Sequence, residues 1–376
     1  MISYFCNIPR LSLCYPLSCN DLTMILKSAE KLKDIRQLDQ GKLIEELKAM
    51  AEPAFRGKQI YEWLWKKSAR NFDEMTNLSF SLREKLKEKF EIRYLKQGQQ
   101  QKSDDRTIKN TFILADGNLI EGVLIPTSER MTACVSSQVG CSLSCKFCAT
   151  GYMERMRNLN ADEIVDQVVL IDKQARDNYN IPLSNIVFMG MGEPLLNYAN
   201  VMKAIHYITS EEGLHFAAKR ITVSTAGIAK MIMRLGDEEV RFNLALSLHA
   251  ANDTKRNEIM PINEQNSLLA LQEALKYFYS KTKNPITFEY IVFDKFNDEL
   301  SDAAELAEFC RHVPCKVNLI EYNPIENADY RNAREEKVNQ FAEFLRKRGI
   351  ITNIRRSRGK DIDAACGQLA IKQTTA

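Results

Sequence analysis

Hydrophobic and polar positions follow two different periods along this chain, and the change of period divides it. Between residue 24 and about residue 95, apolar residues recur three and four positions apart, which is the period of amphipathic helices. From residue 131 onward, short apolar runs alternate with helical patterns, as in parallel strands joined by right-handed helical crossovers. The pattern therefore predicts a small N-terminal helical domain followed by an α/β domain.

The α/β region contains six predicted strands, and a helix is predicted after each of them. The strands are expected at Met131–Ser136, Asn185–Met189, Arg220–Ser224, Arg241–Ser247, Thr287–Phe293 and Lys316–Tyr322. The helices are expected at Asn160–Asp177, Val201–Glu211, Ile228–Leu235, Leu268–Thr282, Glu299–His312 and Arg334–Arg348. Six strand–helix units are two short of a closed eight-fold barrel. We therefore predict an α/β fold with a partial (βα)6 TIM-like barrel, whose chemistry lies at the C-terminal ends of its strands.

A β-hairpin is predicted between the two regions. Asp116-Gly117 separates the alternating apolar runs Asn110–Leu114 and Leu119–Ile125, a strong hairpin signal. The preceding helices are expected at Gly41–Ala51, Gly57–Ser68 and Ser81–Phe90. The chain is thus divided into a leader (1–23), a helical domain (24–95), a linker with the hairpin extension (96–130) and the barrel with a C-terminal cysteine loop (131–376).

The leader does not have the pattern of a secretory signal peptide. Residues 1–23 contain Pro9, Pro16 and Arg10, but no basic start followed by an unbroken apolar run. It is expected to be a disordered tail, or to precede a true translation start at Met24. No stretch of the chain has the length and hydrophobicity of a transmembrane helix, and a cytoplasmic location is expected.

Charge is nearly balanced overall but is unevenly distributed. The 376 residues include 52 lysines and arginines and 49 acidic residues, giving a net charge of +3. The segment Phe344–Lys360 carries seven basic residues and no acidic one, and Phe55–Arg70 interleaves basic with aromatic residues. This composition fits an RNA-binding surface, although solvated helix faces have the same composition.

Three closely spaced cysteines carry the clearest chemical signal. Cys141, Cys145 and Cys148 form a C-x3-C-x2-C run, and thiolates are soft ligands that select iron–sulfur clusters, zinc or copper(I). An ordinary cubane cluster takes four cysteines, so three would leave one iron open for a reactant. A zinc site completed by Cys134 or Cys366 is the alternative, but no second short ligand pair accompanies the run. The ten cysteines are unevenly spaced in a long chain, which favours reduced thiols over structural disulfides.

The three-cysteine run resembles the signature of radical S-adenosylmethionine (SAM) enzymes. Within that superfamily, further segments are similar to the RlmN family, the dual-specificity adenine-C2 methyltransferases of ribosomal and transfer RNA. The resemblance extends from about residue 35 to the end. It is carried by Pro53–Ile60, Phe72–Asn77, Met189–Leu195, Ser247–Ala250 and Asp361–Leu369.

The resemblance implies a radical SAM barrel with a [4Fe-4S] cluster on Cys141, Cys145 and Cys148, and SAM as the second cofactor. Two SAM molecules per turnover would methylate C2 of adenosine 2503 in 23S rRNA and of adenosine 37 in tRNAs. The substrates would be these RNAs and the redox partner a low-potential donor such as flavodoxin, with the enzyme acting as a monomer. The SAM-contacting positions would be Gly192, Glu193, Ser224, Ser247, Leu248, His249 and Asn323.

The resemblance also implies the catalytic residues. Cys366 would carry the methyl group as S-methylcysteine, and Glu121 would be the proton acceptor. Cys134 would be the resolving thiol, which forms a transient disulfide with Cys366. Five other cysteines match no function of the family: Cys6, Cys14, Cys19, Cys310 and Cys315.

Two alternatives remain open at the level of sequence. A related C8 adenosine methyltransferase of 23S rRNA, which confers antibiotic resistance, shares the cysteine set. Gly192-Glu193-Pro194-Leu195 and Arg358-Gly359-Lys360-Asp361 favour C2 chemistry. The other alternative is a zinc-containing RNA-binding protein without catalytic activity.

Overall fold

Three helices and a two-residue strand pair form the N-terminal module. The computed structural model describes residues 32–371; the leader, its three cysteines and residues 372–376 lie outside the described residues. The module comprises α1 Gln40–Ala49, α2 Phe55–Trp65 and α3 Phe80–Lys89, with β1 Lys33–Asp34 paired in parallel with β2 Phe90–Glu91. All three predicted helices are confirmed within a few residues.

Ten strands then form one mixed sheet that begins antiparallel and continues parallel. The antiparallel part is β3 Lys96–Lys102, β4 Ile108–Ile113 and β5 Leu119–Pro126. The predicted hairpin is confirmed as β4 and β5. The segment expected to be a linker instead contains the edge strand β3, which pattern analysis missed because its residues are almost all polar and exposed.

Seven parallel strands follow and form the partial barrel. They are β6 Met131–Cys134, β9 Asn185–Phe188, β10 Ile221–Thr225, β11 Asn243–Ser247, β12 Ile286–Ile291, β13 Cys315–Ile320 and β14 Ile351–Arg355. The short antiparallel pair β7 Gln138–Val139 and β8 Arg157–Asn158 lies between β6 and β9 in sequence. The six predicted strands are confirmed. The seventh, β14, was missed because it lies inside the basic segment.

Helices connect the parallel strands and cover the outside of the sheet. They are α4 Ala161–Tyr179, α5 Tyr198–Thr209, α6 Ala229–Asp237, α7 Asp253–Ile259, α8 Leu268–Thr282, α9 Leu300–Cys310 and α10 Glu335–Arg346. The predicted capping box of α4 is present, with the Asn160 amide donating to Glu163 Oε2 at 2.8 Å. Among residues 32–371, no helix combines the length and apolar character needed to span a membrane.

A buried arginine fastens the helical module to the barrel. The Arg36 side chain is 5% exposed and donates to both carboxylate oxygens of Asp166 on α4, at 2.7 and 3.0 Å. It also reaches Asp162 Oδ2 at 3.3 Å. Beside it, the buried Trp65 stacks on Tyr207 of α5 with ring centroids 3.6 Å apart. Charge pairing therefore joins the segment before α1 to α4, and aromatic packing joins α2 to α5.

We expect Arg36→Met to destabilise the protein by about 3–5 kcal/mol, because it leaves two buried carboxylates without their cation. Urea unfolding followed by circular dichroism measures this loss. Arg234→Met is the matched control, since Arg234 pairs with Glu238 on the surface of α6 and should cost less than about 1 kcal/mol. Equal effects of the two substitutions would contradict the role of Arg36.

Candidate active site

The C-terminal ends of the parallel strands surround one open cavity. Most of the site residues expected from sequence line it, although they come from distant parts of the chain. These lining residues are Cys141, Cys145, Cys148, Gly192, Glu193, Ser224, Ser247, His249 and Cys366. The position of the cavity agrees with the expectation that barrel chemistry lies at the strand ends.

The three-cysteine loop follows β6 and is held by its own backbone. The Cys148 amide donates to the Cys145 carbonyl at 3.2 Å, and the Gly151 amide donates to the Cys148 carbonyl at 2.8 Å. A side chain at Gly151 would place its Cβ 2.6 Å from the Cys145 carbonyl oxygen, so only glycine fits there. The loop therefore presents all three thiols to the cavity without a regular element.

The thiol set has the chemistry that an iron–sulfur cluster requires. Burial raises the pKa of Cys141, to about 11, and of Cys145 and Cys148, and negative charge on neighbouring cysteines raises each further. A cationic iron–sulfur core would offset that repulsion and hold the thiolates ionised. Within residues 32–371, no group of three or more cysteine, histidine or acidic side chains is close enough together to bind a single metal ion. A cluster differs from a single ion in this respect, because each thiolate binds a different iron atom.

Glu193 links two neighbouring strand ends beside the cysteine loop. Its Oε2 accepts the Ala226 amide at 2.8 Å, and its Oε1 accepts the Leu195 amide at 3.0 Å. Burial raises the pKa of Glu193, whereas these hydrogen bonds lower it. Gly192 has φ +90°, and a Cβ there would lie 2.4 Å from the Gln138 side chain, so a larger residue would break this turn.

The ends of β10 and β11 carry the next group of expected SAM contacts. Ser224 Oγ and Ser247 Oγ lie 3.4 Å apart. His249 accepts the Ile291 amide on Nδ1 at 3.1 Å, and burial lowers its pKa to about 3, so its imidazole is neutral. Leu248 is fully buried next to the cavity and does not line it.

A buried arginine that the sequence analysis missed organises these strand ends. Arg256 is fully buried and donates to the backbone carbonyls of Leu248, Ala226 and Ser247 at 3.0, 2.6 and 3.2 Å. Carbonyl groups at the end of a parallel strand otherwise lack partners. Arg256 thus fixes the loops that carry Ser247 and His249.

The C-terminal cysteine loop is attached to the three-cysteine loop. The Gly367 carbonyl accepts the Ala149 amide at 2.7 Å, and the Leu369 carbonyl accepts Thr150 Oγ1 at 2.6 Å. From the other side, Asn323 Nδ2 donates to the Cys366 carbonyl at 3.0 Å, while Asn323 Oδ1 is buried and has no hydrogen-bond partner among the described residues. Cys366 itself remains exposed at the cavity.

Cys134 and Glu121 share the inner face of the sheet. Cys134 pairs with Val123 across β5 and β6, and Glu121 is two residues from Val123, so both side chains point to the same side. Burial raises the pKa of the Cys134 thiol, and the charge of Cys366 raises it further. Burial also raises the pKa of Glu121, whose Oε1 lies 3.0 Å from Lys109 Nζ. The fold thus brings Cys134 and Cys366 into electrostatic contact.

Glu289 and Arg355 form an ion pair in the cavity wall. Arg355 Nη1 lies 3.1 Å from Glu289 Oε2, and Asn318 Nδ2 donates to Glu289 Oε1 at 2.9 Å. Burial lowers the pKa of Arg355, but the negative charges of Glu289, Cys366 and Cys134 together raise it above its usual value. This guanidinium therefore lies near both thiols.

One sequence signal could have identified this pair. Glu289 is a charged residue in β12, whose six residues are all buried, and an acid in a fully buried strand usually has a partner or a role. Arg355 lacks such a signal, because it lies among other basic residues. Cys310 and Cys315 lie at the end of α9 and the start of β13, outside this cavity.

Most of the basic segment 344–360 is paired within the chain. Lys347 pairs with Glu343 and Lys360 with Glu321, at 2.8 and 2.7 Å, and Arg346 donates to the Thr352 carbonyl at 2.9 Å.

The helical module differs from the basic segment in its exposed aromatic residues. Its exposed Phe55 and Phe80 rings, 58% and 69% exposed, each lie beneath an arginine of the same helix. The module therefore offers two exposed aromatic rings, each beside a guanidinium group, although Arg56 also donates to Gln59 Oε1 and Arg83 to the Asp73 carbonyl.

Two protein-family models match the chain. Residues 33–92 match the ribosomal RNA large subunit methyltransferase N-terminal domain, and residues 135–307 match the radical SAM superfamily. The first match covers the helical module, and the second runs from the end of β6 to within α9. The match to the radical SAM superfamily establishes the [4Fe-4S] cluster and SAM as the cofactors.

Individual relatives cover nearly the whole chain. A protein of Cytophaga hutchinsonii named a probable dual-specificity RNA methyltransferase RlmN is 62% identical over 91% of this chain and 94% of its own length. The dual-specificity RNA methyltransferase RlmN of Campylobacter fetus is 44% identical over 86% of this chain and 95% of its own. A radical SAM methyltransferase from Sphaerobacter thermophilus superposes with a TM-score of 0.85 at 41% identity, covering 90% of this chain and 100% of that one. This chain therefore belongs to the RlmN family of dual-specificity RNA methyltransferases.

Proposed function

We propose that the protein methylates C2 of adenosine 2503 in 23S rRNA and of adenosine 37 in tRNAs through a methyl group carried on Cys366. The observation that carries this proposal is the attachment of the Cys366 loop to the three-cysteine loop, with Cys134 at the end of β6, the strand that precedes the three-cysteine loop. An RNA-binding protein that only holds zinc would have no need of two further thiols beside its metal site.

Cys141, Cys145 and Cys148 would hold the cluster, and the cavity beside them would hold SAM. Gly192 and Glu193 offer a close backbone approach and a buried carboxylate next to the loop, which suits an ammonium group. Ser224, Ser247, His249 and Asn323 would supply further polar contacts, whereas Leu248, whose side chain does not line the cavity, would hold its neighbours Ser247 and His249 in place. When bound, the two cofactors supply the methyl group and the radical that removes a hydrogen atom from it.

Cys366 would be the methyl carrier because its thiol is exposed at the cavity. Adenine C2 is electron-poor and does not attack a methyl cation equivalent, so the methyl group must first move to a protein nucleophile. The Cys366 sulfur loses its proton and would form the S–CH₃ bond as the bond between the methyl group and the sulfonium sulfur of SAM breaks, the remainder of SAM leaving as a neutral thioether. That carbon later bonds to C2, which links the RNA to the protein through the Cys366 sulfur.

Glu121 and Cys134 would release the product. The Glu121 carboxylate accepts the proton from C2, and the unpaired electron left on the ring by the radical addition would pass to the cluster, which would have given one electron to cleave SAM. The Cys134 thiolate then attacks the Cys366 sulfur, forming the S–S bond and breaking the bond between sulfur and carbon. The electron pair leaves with the carbon, which takes up a proton to become the methyl group of the RNA. The transient disulfide must be reduced before the next turnover.

Substrate binding is proposed to use the helical module, the N-terminal helical domain expected over residues 24–95. Phe55 and Phe80 are exposed aromatic rings paired with Arg56 and Arg83, and such pairs stack on RNA bases. We further propose that the protein acts in the cytoplasm as a monomer and takes electrons from a low-potential donor such as flavodoxin.

The position of the methyl group on the modified adenosine tests the proposed function directly. Expression in a host that lacks adenosine C2 methylation should add one methyl group at C2 of adenosine 2503 and of adenosine 37, because the Cys366 carbon is delivered to C2. Mass mapping of digested ribosomal and transfer RNA measures it. A methyl group at C8 would assign the protein to the antibiotic-resistance activity, and unmodified RNA in cells with loaded enzyme would contradict the proposal.

A further inference from the structure

We propose that Lys109 is a positioning residue that keeps the Glu121 carboxylate ionised and directs one of its oxygens away from the pair, free to accept a proton. The inference deepens the proposed function, because it rests on Glu121 as the proton acceptor. Lys109 belongs to neither the cluster site nor the expected SAM contacts.

Lys109 and Glu121 are unusual because both charged side chains are buried, although they lie on neighbouring strands of the sheet. Lys109 lies on β4 and Glu121 on β5, and their side chains are only 6% and 5% exposed. Lys109 Nζ lies 3.0 Å from Glu121 Oε1. Glu121 Oε2 is also buried, yet it has no hydrogen-bond partner among the described residues. A buried carboxylate oxygen without a partner is costly, so its retention points to a role in the reaction.

The backbone of Glu121 is fixed as well. Its carbonyl accepts Ser136 Oγ at 2.6 Å, and its amide lies 3.3 Å from the Met191 sulfur. The register of β4 and β5 places Lys109 opposite Val123, one diagonal step from Glu121. The carboxylate therefore has little freedom other than rotation about its own side chain, and Lys109 sets that rotation by holding Oε1.

Opposing charges act on Glu121 from three elements. Burial raises its pKa, and Asp363 of the C-terminal loop raises it further. Lys109 on β4 lowers the pKa by charge and by hydrogen bonding, and the nearby Ala370 amide, which makes no hydrogen bond to Oε2, lowers it as well. Cys134 on β6 shares the same face of the sheet. Lys109 supplies the cation among these groups, so its removal should raise the pKa of Glu121.

The sign of the pH effect follows from this balance. A base must be ionised, so product release requires a pH above the pKa of Glu121. The rate of product release should therefore fall on the acid side of its pH profile, and without Lys109 this acid limb should move to higher pH. If the pKa of Glu121 rises by one, release becomes about tenfold slower at any pH below both limbs. RNA-linked protein should therefore accumulate at low pH and clear as the pH rises.

The test compares Lys109→Met with Lys109→Arg in the loaded enzyme across pH. We expect Lys109→Met to move the acid limb of methylated-RNA formation upward and to accumulate RNA-linked protein below it. Lys109→Arg should restore a nearly wild-type profile. Lys337→Met is the matched control, because Lys337 pairs with the buried Asp298 at 2.9 Å, away from the cavity residues. It should leave the pH profile unchanged.

Glu121→Gln separates this proposal from the one on which it rests. A Glu121→Gln variant that methylates at the wild-type rate overturns the role of Glu121. If Glu121→Gln is inactive but Lys109→Met lowers the rate equally at every pH, the role of Lys109 alone is overturned. A further measurement does not depend on the folding of Lys109→Met. Infrared difference spectra of wild type against Glu121→Gln should show an ionised Glu121 at neutral pH, and a protonated one would overturn the proposal.

Discussion

Cys134→Ala is expected to accumulate protein covalently linked to RNA, whereas Cys366→Ala should form no link and no methylated RNA. In the first variant the carbon can still reach C2, but no thiol attacks the Cys366 sulfur, so the bond between sulfur and carbon persists. In the second variant the methyl carrier is missing from the start. Turnover should fall to background in both. Denaturing gels of purified protein, before and after ribonuclease treatment, measure the linked fraction.

The geometry explains why Cys134 and no other thiol should have this effect. The charge of Cys366 raises the pKa of the Cys134 thiol, and Arg355 interacts with both thiols. Cys315→Ala is the matched control, because Cys315 lies at the start of β13, outside the cavity. It should behave as wild type. A Cys134→Ala protein free of RNA, with its cluster intact, would remove the resolving role from Cys134.

Cys145→Ala should abolish both the brown iron–sulfur absorbance and all reductive cleavage of SAM. Only two thiolates would remain in the loop, and ordinary cubane clusters take four cysteine ligands, so a further loss is not tolerated. The loop backbone should survive, because its hydrogen bonds use the Cys145 carbonyl rather than the thiol. Anaerobic purification with iron analysis and visible absorption measures the cluster, and 5′-deoxyadenosine formation measures the cleavage.

Cys310→Ala is the matched control for this loss, since Cys310 is a buried cysteine at the end of α9. It should retain iron, colour and SAM cleavage. A colourless wild-type protein that contains zinc would contradict the cluster altogether. Iron retained at the wild-type level in Cys145→Ala would show that another residue supplies the third ligand.

Prediction from sequence succeeded for features whose information is local. The helix of α4 begins where Asn160 and Glu163 form a capping box, and the β4–β5 hairpin forms around Asp116-Gly117. In each case the residues that fix the element are adjacent in sequence. The edge strand β3 could not be predicted, because a polar strand that pairs with only one neighbouring strand has no alternating apolar pattern.

The same difference between local and distant information explains which residues of the site could be predicted from sequence. The motif residues at the strand ends could be listed from sequence, and the barrel rule then placed them together. Lys109 could not be found in this way. In the alternating strand Ile108–Ile113 a lysine is expected to face solvent, and it is buried only because the strands and the C-terminal loop cover that face. Arg36 was missed for the same reason, since its partners lie on a distant helix.

The sequence by itself therefore determined the period of each element, the spacing of the three cysteines and, by resemblance, the family. Only the tertiary structure decided that the Cys366 loop is attached beside the cluster loop, that Glu121 shares a face with Cys134, and that Lys109 holds one oxygen of Glu121. The physical reason is that burial and charge pairing depend on what packs over a residue, and that covering segment comes from elsewhere in the chain.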